Sequence, residues 1–188
     1  SEIKIMGKIE SPEYLDLKIQ GDNFRLEESE IISKISSTIV GNFNFNSTIN
    51  GSIENINLGL SGVVSDSIID DQESPDSRFN LNIKEKILKL ESILFGDKIK
   101  LNLTYPMEDH GQSKIDLVIK KWNFTSLLGI VGASNLQNEY DSNLSTNIQL
   151  TAPVNDWTQL SGSIKTSDFL LQRGNLLLKN DGPISIAA

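Results

Sequence analysis

The residues that most often carry catalysis or metal binding are few in this chain and poorly grouped. The single histidine, His110, lies in the turn-like stretch Met107-Glu108-Asp109-His110-Gly111, and there is no cysteine. The usual zinc and non-haem iron sites need more nitrogen and sulfur ligands than this. A serine–histidine–carboxylate triad would have to use His110, and no G-x-S-x-G turn accompanies it. We therefore predict a surface histidine and no enzyme activity.

Acidic and aromatic residues offer no clearer site. The densest acidic group is Asp70, Asp71, Glu73 and Asp76. Calcium prefers oxygen ligands, but the spacing of these residues does not match the EF-hand pattern, and the glycine that an EF-hand loop needs is missing. We predict an exposed acidic loop over residues 66–78. Trp122 and Trp157 flank predicted loops and are interpreted as packing anchors. No metal or cofactor is expected.

Alternation of apolar and polar residues dominates the chain and predicts an all-β fold. Successive strand residues point to opposite faces, so each apolar series shares one face while Asn, Ser and Thr occupy the other. We predict an elongated, mostly antiparallel, curled sheet with an apolar concave face. The predicted lining of that face is Ile5, Ile9, Leu17, Ile19, Phe43, Phe45, Ile49, Ile53, Leu58, Leu60, Val64, Leu81, Ile83, Leu101, Leu103, Ile115, Leu117, Ile119, Ile148, Leu150, Ile164, Leu176, Leu178 and Ile184.

Four glycines interrupt this alternation at positions that belong to the apolar face: Gly7, Gly51, Gly62 and Gly162. A glycine inside a strand marks a bend, a bulge or a close approach to the backbone. We expect these glycines to let the sheet curve or to widen a channel locally.

Composition bounds the function classes. The chain has 188 residues and a net charge of −8, which argues against nucleic-acid binding through a basic patch. The length suits one domain over residues 1–188, and the strand pattern still running at residues 184–188 suggests a piece of a longer protein. One contiguous apolar stretch predicts a short helix over residues 125–134, and residues 27–34 fit either a helix or a strand.

An apolar surface that protein does not fill is a liability in water, so a partner must cover it. An acyl chain would gain about 0.8 kcal/mol per buried methylene. Alternation alone does not separate an open groove of this kind from a filled sandwich, since each sheet of a sandwich also shows one face to water.

Several stretches resemble the TamB/AsmA-like family, which repeats strands of the type apolar-x-Gly-x-apolar and interrupts its sheet with a short helix. The stretches are Trp122-Asn123-Phe124-Thr125-Ser126-Leu127-Leu128, Thr151-Ala152-Pro153-Val154, Leu160-Ser161-Gly162-Ser163-Ile164, Phe169-Leu170-Leu171, Gly174-Asn175-Leu176-Leu177-Leu178 and Asp181-Gly182-Pro183-Ile184. The resemblance is tightest over residues 144–186.

The resemblance implies a gutter-shaped sheet, the "β-taco", within a periplasmic protein anchored in the inner membrane; a plastid envelope is the other expected location. It implies a conduit for phospholipid acyl chains, or a chaperone of outer-membrane β-strands working with a barrel assembly protein. Open sheet edges would allow the fragment to dimerise edge to edge. The alternative is a structural or adhesive β-sandwich or solenoid of a secreted or cell-surface protein.

Overall fold

The computed structural model describes residues 2–11, 14–30, 39–52, 54–69, 72–123 and 139–187, and most of them lie in β-strands. In chain order the strands are β1 Glu2–Ser11, β2 Tyr14–Arg25, β3 Ile39–Ser52, β4 Asn55–Ile69, β5 Gln72–Ser74, β6 Ser77–Lys84, β7 Ile87–Leu94, β8 Ile99–Pro106, β9 Gln112–Trp122, β10 Asp141–Pro153, β11 Ser161–Arg173, β12 Leu176–Lys179 and β13 Ile184–Ala187. Two 3-10 turns, Leu26–Glu28 and Trp157–Gln159, complete the described elements.

All these strands belong to one antiparallel sheet with the order β1-β2-β3-β4-β6-β7-β8-β9-β10-β11-β12. The short strand β5 pairs with β4, and β13 pairs with β11 beside β12. Strand β1 pairs only with β2 in the described part of the chain, so the sheet does not close into a barrel. The prediction of an all-β, mostly antiparallel open sheet is confirmed.

Tight turns set the register between neighbouring strands. Glu85 and Lys86, which link β6 to β7, both have positive φ angles, 52° and 59°. Two consecutive residues with positive φ form the hairpin turn whose twist matches that of the flanking strands. Leu88 therefore lies opposite Ile83, and the apolar side chains of the two strands share a face.

The sheet has almost no buried core. Among the described residues, only Ile99 and Ala152 are buried apolar residues. The chain exposes 12234 Å² of surface, whereas a compact monomer of 20.8 kDa is expected to expose about 8,900 Å². No second sheet packs on the described one, so this part of the chain is not a sandwich.

The two faces of the sheet differ in exposure, as expected if the sheet curls toward its apolar face. Along β6, half-buried Phe79, Leu81 and Ile83 alternate with exposed Arg78, Asn80 and Asn82. The same alternation runs through β2. Side chains on an inner, curled face shield one another, while those on the outer face spread apart.

Glycine permits a close approach of neighbouring strands near both ends of the sheet. Gly7 in β1 has φ +148°, and a Cβ there would lie 2.1 Å from the carbonyl oxygen of Asp16. Gly162 in β11 has φ +153°, and its Cβ would lie 2.0 Å from the carbonyl oxygen of Gln149. Gly51, at the end of β3, is held in the same way against Asn55. These three glycines mark close approaches between strand backbones, and the curving or widening role expected from the sequence stays a prediction.

Gly62 is different, because its space is filled by the protein itself. A Cβ on Gly62 would lie 2.7 Å from ring atoms of both Phe43 and Phe79. The extra channel width expected at Gly62 is therefore taken up by two aromatic rings.

The prediction of an acidic loop over residues 66–78 is wrong for most of that segment. Strand β4 continues to Ile69, and β5 returns beside it with Glu73 opposite Ile68. Asp66, with φ +50°, lies where the pairing between β3 and β4 shifts by a residue. Acidic side chains indicate exposure to water, but strands pair through their backbone groups. A segment with acidic side chains can therefore still form a strand.

Both helix predictions lie largely outside the described residues. The segment 125–134 falls entirely in the undescribed part of the chain. Of the segment 27–34, the described portion contains the end of the 3-10 turn Leu26–Glu28.

We predict that Gly162→Ala destabilises the sheet by about 1–3 kcal/mol, because alanine is strained at this φ and its Cβ collides with backbone that cannot move aside. Thermal unfolding followed by circular dichroism should show a loss of several degrees. Gly174→Asn is the matched control, since Gly174 has φ +54° but open space around it and asparagine tolerates that conformation. Equal melting temperatures for the two variants would contradict the close approach at Gly162.

Candidate functional site: the apolar face

Cross-strand pairing assembles the apolar residues into continuous rows. Residues directly opposite each other in an antiparallel pair share a face. Following the pairs from strand to strand gives a central row across eleven strands: Ile3, Gly21, Phe45, Gly62, Phe79, Ser92, Leu101, Leu117, Ile148, Ile164 and Ile186.

Two further rows run parallel to the central row. The second row consists of Ile5, Ile19, Ser47, Leu60, Leu81, Leu90, Leu103, Ile115, Leu150 and Gly162. The third consists of Gly7, Leu17, Ile49, Leu58, Ile83, Leu88 and Tyr105. We call the surface formed by the three rows the apolar face.

Strand geometry gives the dimensions of the apolar face. Neighbouring strands lie about 4.8 Å apart, so the central row is about 48 Å long measured along the sheet. Side chains two residues apart on one strand are about 7 Å apart, which makes the three rows about 14 Å wide between the outer side-chain positions. A strip of this shape fits elongated apolar molecules laid across the strands.

Aromatic rings form the floor of the apolar face in β3 and β6. Phe43 stacks on Phe45 with ring centroids 5.3 Å apart, and on Phe79 at 6.0 Å. The Phe45 ring lies over Gly21, where a Cβ would be 2.1 Å from it. Rings that lie over glycines stay low on the sheet, so they cover backbone without blocking the strip.

Small hydroxyl residues occupy a few positions within the rows. Ser47 and Ser92 are buried there among larger apolar neighbours. At the start of β9, outside the rows, buried Ser113 donates a hydrogen bond to the carbonyl oxygen of Ala152, 2.8 Å away. These serines add little polar surface, and the apolar character of the face is preserved.

The register places every predicted lining residue that is described on the same side of the sheet as the three rows, whereas Ile53 lies outside the described residues. Burial varies along the strip: Ile5 is 67% exposed at the β1 edge, and Leu176 is 63% exposed at the other. The sequence-based lining omitted residues that share the face, although the same alternation contains them: Ile3, Leu15, Phe24, Phe79, Leu88, Leu90, Ile99, Tyr105 and Ile186.

The ionisable groups whose pKa is shifted lie at turns and strand ends. A hydrogen bond from Lys86, 2.9 Å away, lowers the pKa of the Glu108 carboxyl and raises the pKa of Lys86. Hydrogen bonds from its own backbone N–H and from that of Gly41 lower the pKa of Glu27. Thr158 and Gln159 do the same for Asp156. Hydrogen bonds at the surface explain the pKa shifts of these groups.

The other residues considered from the sequence lie apart from the apolar strip or pack locally. The imidazole of His110 is 86% exposed, with Nε2 3.5 Å from Glu108. Trp122 stacks on Phe95 with centroids 5.9 Å apart, which fits a packing anchor, and Trp157 is half exposed in a 3-10 turn. Within the described residues, no cluster of three or more potential metal ligands and no helix suited to cross a bilayer is found.

Comparison with family models, with curated proteins and with solved structures produced no match to this chain. The resemblance to the TamB/AsmA-like family therefore stays a prediction, and the apolar face has to be interpreted from its own geometry.

We predict that Leu101→Arg, in the middle of the apolar face, lowers the free energy of unfolding by only about 1–2 kcal/mol, because an arginine there keeps contact with water. Ile99→Arg should cost about 3–5 kcal/mol, since Ile99 is one of the few buried apolar residues. Asn102→Arg, on the exposed polar face, is the control and should change little. Urea unfolding measures all three, and an equal, large loss at Leu101 and Ile99 would indicate a filled core.

Proposed function

We propose that this chain is a segment of a non-enzymatic hydrophobic conduit that shields the acyl chains of phospholipids. The observation that carries the proposal is the apolar face: three rows of mostly aliphatic and aromatic residues that no second protein layer covers in the described structure. Contiguous apolar surface of this size on a protein marks an interaction site.

The energetics of the apolar face suit a transient acyl guest. Burying a fourteen-carbon chain is worth up to about 10 kcal/mol relative to water. A lipid leaving a bilayer loses a similar amount, so its transfer onto the strip is close to neutral. Because this transfer is close to neutral in free energy, a lipid can bind to the strip and leave it again, which suits transport. A storage site would need to bury the acyl chain in a closed cavity.

The shape of the strip supports lengthwise movement. The rows cross the strands, so the long axis of the apolar face runs from the β1 edge to the β13 edge. Both ends carry exposed apolar side chains: Ile3 is 55% exposed and Ile186 is 58% exposed. Further strands added at either edge, from a longer parent chain or a second copy, would lengthen the strip without interrupting it.

The proposed setting is the space between two membranes. The TamB/AsmA-like resemblance implies a parent protein in the periplasm with an inner-membrane anchor, or in a plastid envelope. The described segment would then be one stretch of a bridge between bilayers.

A second candidate function is the shielding of outer-membrane β-strands before their insertion, together with a barrel assembly protein. The observation that favours it is the outer edge of β1, which pairs with no other described strand and whose backbone groups can pair with an incoming strand. This edge lies beside the apolar face, so an amphipathic strand could use both surfaces.

We predict that the protein purified from a host with phospholipid membranes carries lipid, and that Leu103→Glu combined with Ile115→Glu abolishes the binding. These two residues lie directly opposite each other in the second row, so the double variant puts two carboxylates in the middle of the strip. Mass spectrometry of the extracted protein and titration with a fluorescent long-chain fatty acid measure the loss.

The control is Asn102→Glu combined with Lys114→Glu, which adds carboxylates on the polar face of the same two strands. The control should keep lipid binding. A wild-type protein without bound lipid and without affinity for the fatty acid would contradict the conduit and favour a structural or adhesive role. Affinity for unfolded barrel strands without affinity for lipid would favour the second candidate.

A further inference from the structure

We propose that a lysine-lined depression on the polar face, opposite the apolar face, binds a phosphate-bearing ligand. The depression has a volume of about 600 Å³ and lies across β9, β10 and β11, beside the turn that joins β7 to β8. Its charged lining consists of Lys98, Lys120, Lys121, Lys165 and Asp97, which gives a local charge of +3. The chain as a whole has a net charge of −8.

Irregularities in strand pairing coincide with the depression. Between the pairs Leu144–Trp122 and Thr146–Ile119, strand β9 contains one extra residue relative to β10. Strand β11 also contains an extra residue, Ser167, at the same level of β10. Bulges bend a strand and redirect its side chains. Two bulges on either side of β10 therefore bend the sheet locally and open the polar face here.

The bulge in β9 sets the backbone of Lys121 in an unusual conformation. Lys121 has φ +41°, and its N–H donates to the hydroxyl oxygen of Ser145, 2.9 Å away. Residues other than glycine rarely adopt positive φ, and such positions concentrate at binding sites. Because Ser145 accepts this bond, its own hydroxyl hydrogen can point into the depression and donate to a ligand.

Like charges face each other in the depression. Ile99 pairs with Ile119, and the Lys120 N–H donates to the carbonyl oxygen of Lys98, so these two lysines lie opposite each other on the polar face. Directly opposed like charges destabilise a sheet. Asp97 lies 3.6 Å from Lys120 and offsets part of the repulsion. In the described structure no ion pair forms at Lys98, Lys121 or Lys165.

A further carboxylate, Asp168, lies beside the depression, opposite Ser145 in the strand pairing. Asp168 follows the bulge in β11, and its Oδ2 accepts a hydrogen bond from the Asn143 side chain at 2.9 Å. No ion pair joins Asp168 to a lysine of the depression in the described structure, so a bound anion would meet three ammonium groups without ion pairs, together with the hydroxyl group of Ser145. The Ser167 hydroxyl already donates to the carbonyl oxygen of Ser145, 3.4 Å away.

The size of the depression and its donors favour phosphate. Ligand sites are commonly about 300–1,000 Å³, so the space admits a phosphate or pyrophosphate group with a small organic substituent. Lysines bind phosphate as mobile point charges that adapt to its oxygens. Phosphate could come from a soluble compound or from the headgroup of an anionic phospholipid, and the experiment below separates these sources.

The test is an NMR titration of the ¹⁵N-labelled protein with inorganic pyrophosphate at constant ionic strength. We expect saturable shifts concentrated at the amides around Lys98, Lys121, Ser145 and Lys165. The double variant Lys121→Glu with Lys165→Glu should weaken binding at least about tenfold, because it removes two charge-assisted contacts. Lys89→Glu with Lys114→Glu makes the same charge change on the polar face outside the depression and should change affinity less than twofold.

A parallel sedimentation experiment uses vesicles of phosphatidylglycerol and of phosphatidylcholine. Binding to phosphatidylglycerol vesicles that the Lys121/Lys165 variant alone loses identifies a lipid headgroup as the source of phosphate. Pyrophosphate binding without preference for these vesicles identifies a soluble ligand. Chemical-shift changes spread over all lysines, or equal losses of pyrophosphate affinity in both double variants, would overturn the proposal. Such results would show only the general attraction of lysines for anions. Fatty-acid binding should survive in both double variants, because the apolar face is unchanged.

Discussion

Register between neighbouring strands is the constraint on which the rest of this structure depends. The side-chain period of a strand is two, so a slip of one residue would transfer a whole strand's apolar set to the opposite face. The pairs Leu81–Leu90, Leu90–Leu103 and Leu103–Ile115 hold four strands in step in the middle of the sheet. Each cross-strand pair contributes only about 0.2–1 kcal/mol. The continuity of the apolar face is therefore the sum of many small contacts.

The described sheet has no second layer on its apolar face, so contacts within the sheet cover part of that face. The rings of Phe43, Phe45 and Phe79 cover Gly21 in β2 and Gly62 in β4, while Gly7 and Gly162 bring strands close near the edges. The chain nevertheless exposes about a third more surface than a compact monomer of its mass, 12234 Å² against the expected ~8,900 Å². In the proposed conduit, acyl chains cover this excess.

The two faces have separate chemistry because the pleat keeps them apart. Asn102 and Leu103 are adjacent in β8, yet one is exposed on the polar face and the other half-buried on the apolar face. The lysine-lined depression and the three rows of the apolar strip consequently share strands β9 to β11 without sharing a residue. A ligand on one face is recognised by charge, and a guest on the other by burial of hydrocarbon.

Much of the fold could be predicted from the sequence, because alternation specifies which residues share a face of a strand. The series Leu101, Leu103 and Ile115, Leu117 lies on one face as the pattern requires. The sequence could not distinguish close backbone approaches from covered positions: Gly162 and Gly62 occur in the same apolar-x-Gly-x-apolar setting, but one approaches backbone and the other lies under rings. That difference depends on the partner strand.

Features that depend on distant residues were missed or mistaken. The acidic segment was interpreted as a loop, although backbone pairing continues through Ile68 and Glu73. Lys98, Lys120 and Lys165 meet only after the strands pair. Pairing between strands, and not local pattern, decides each of these cases.

Cross-linking with a phospholipid that carries a photoreactive diazirine in its acyl chain tests the central claim most directly. After irradiation, mass spectrometry of proteolytic fragments assigns the residues that the acyl chain touches. An open apolar face predicts adducts on Leu101, Leu117 and Ile148 and none on their polar-face neighbours Asn102, Asp116 and Gln149. Adducts shared equally by the two faces, or none on the central row, would contradict it.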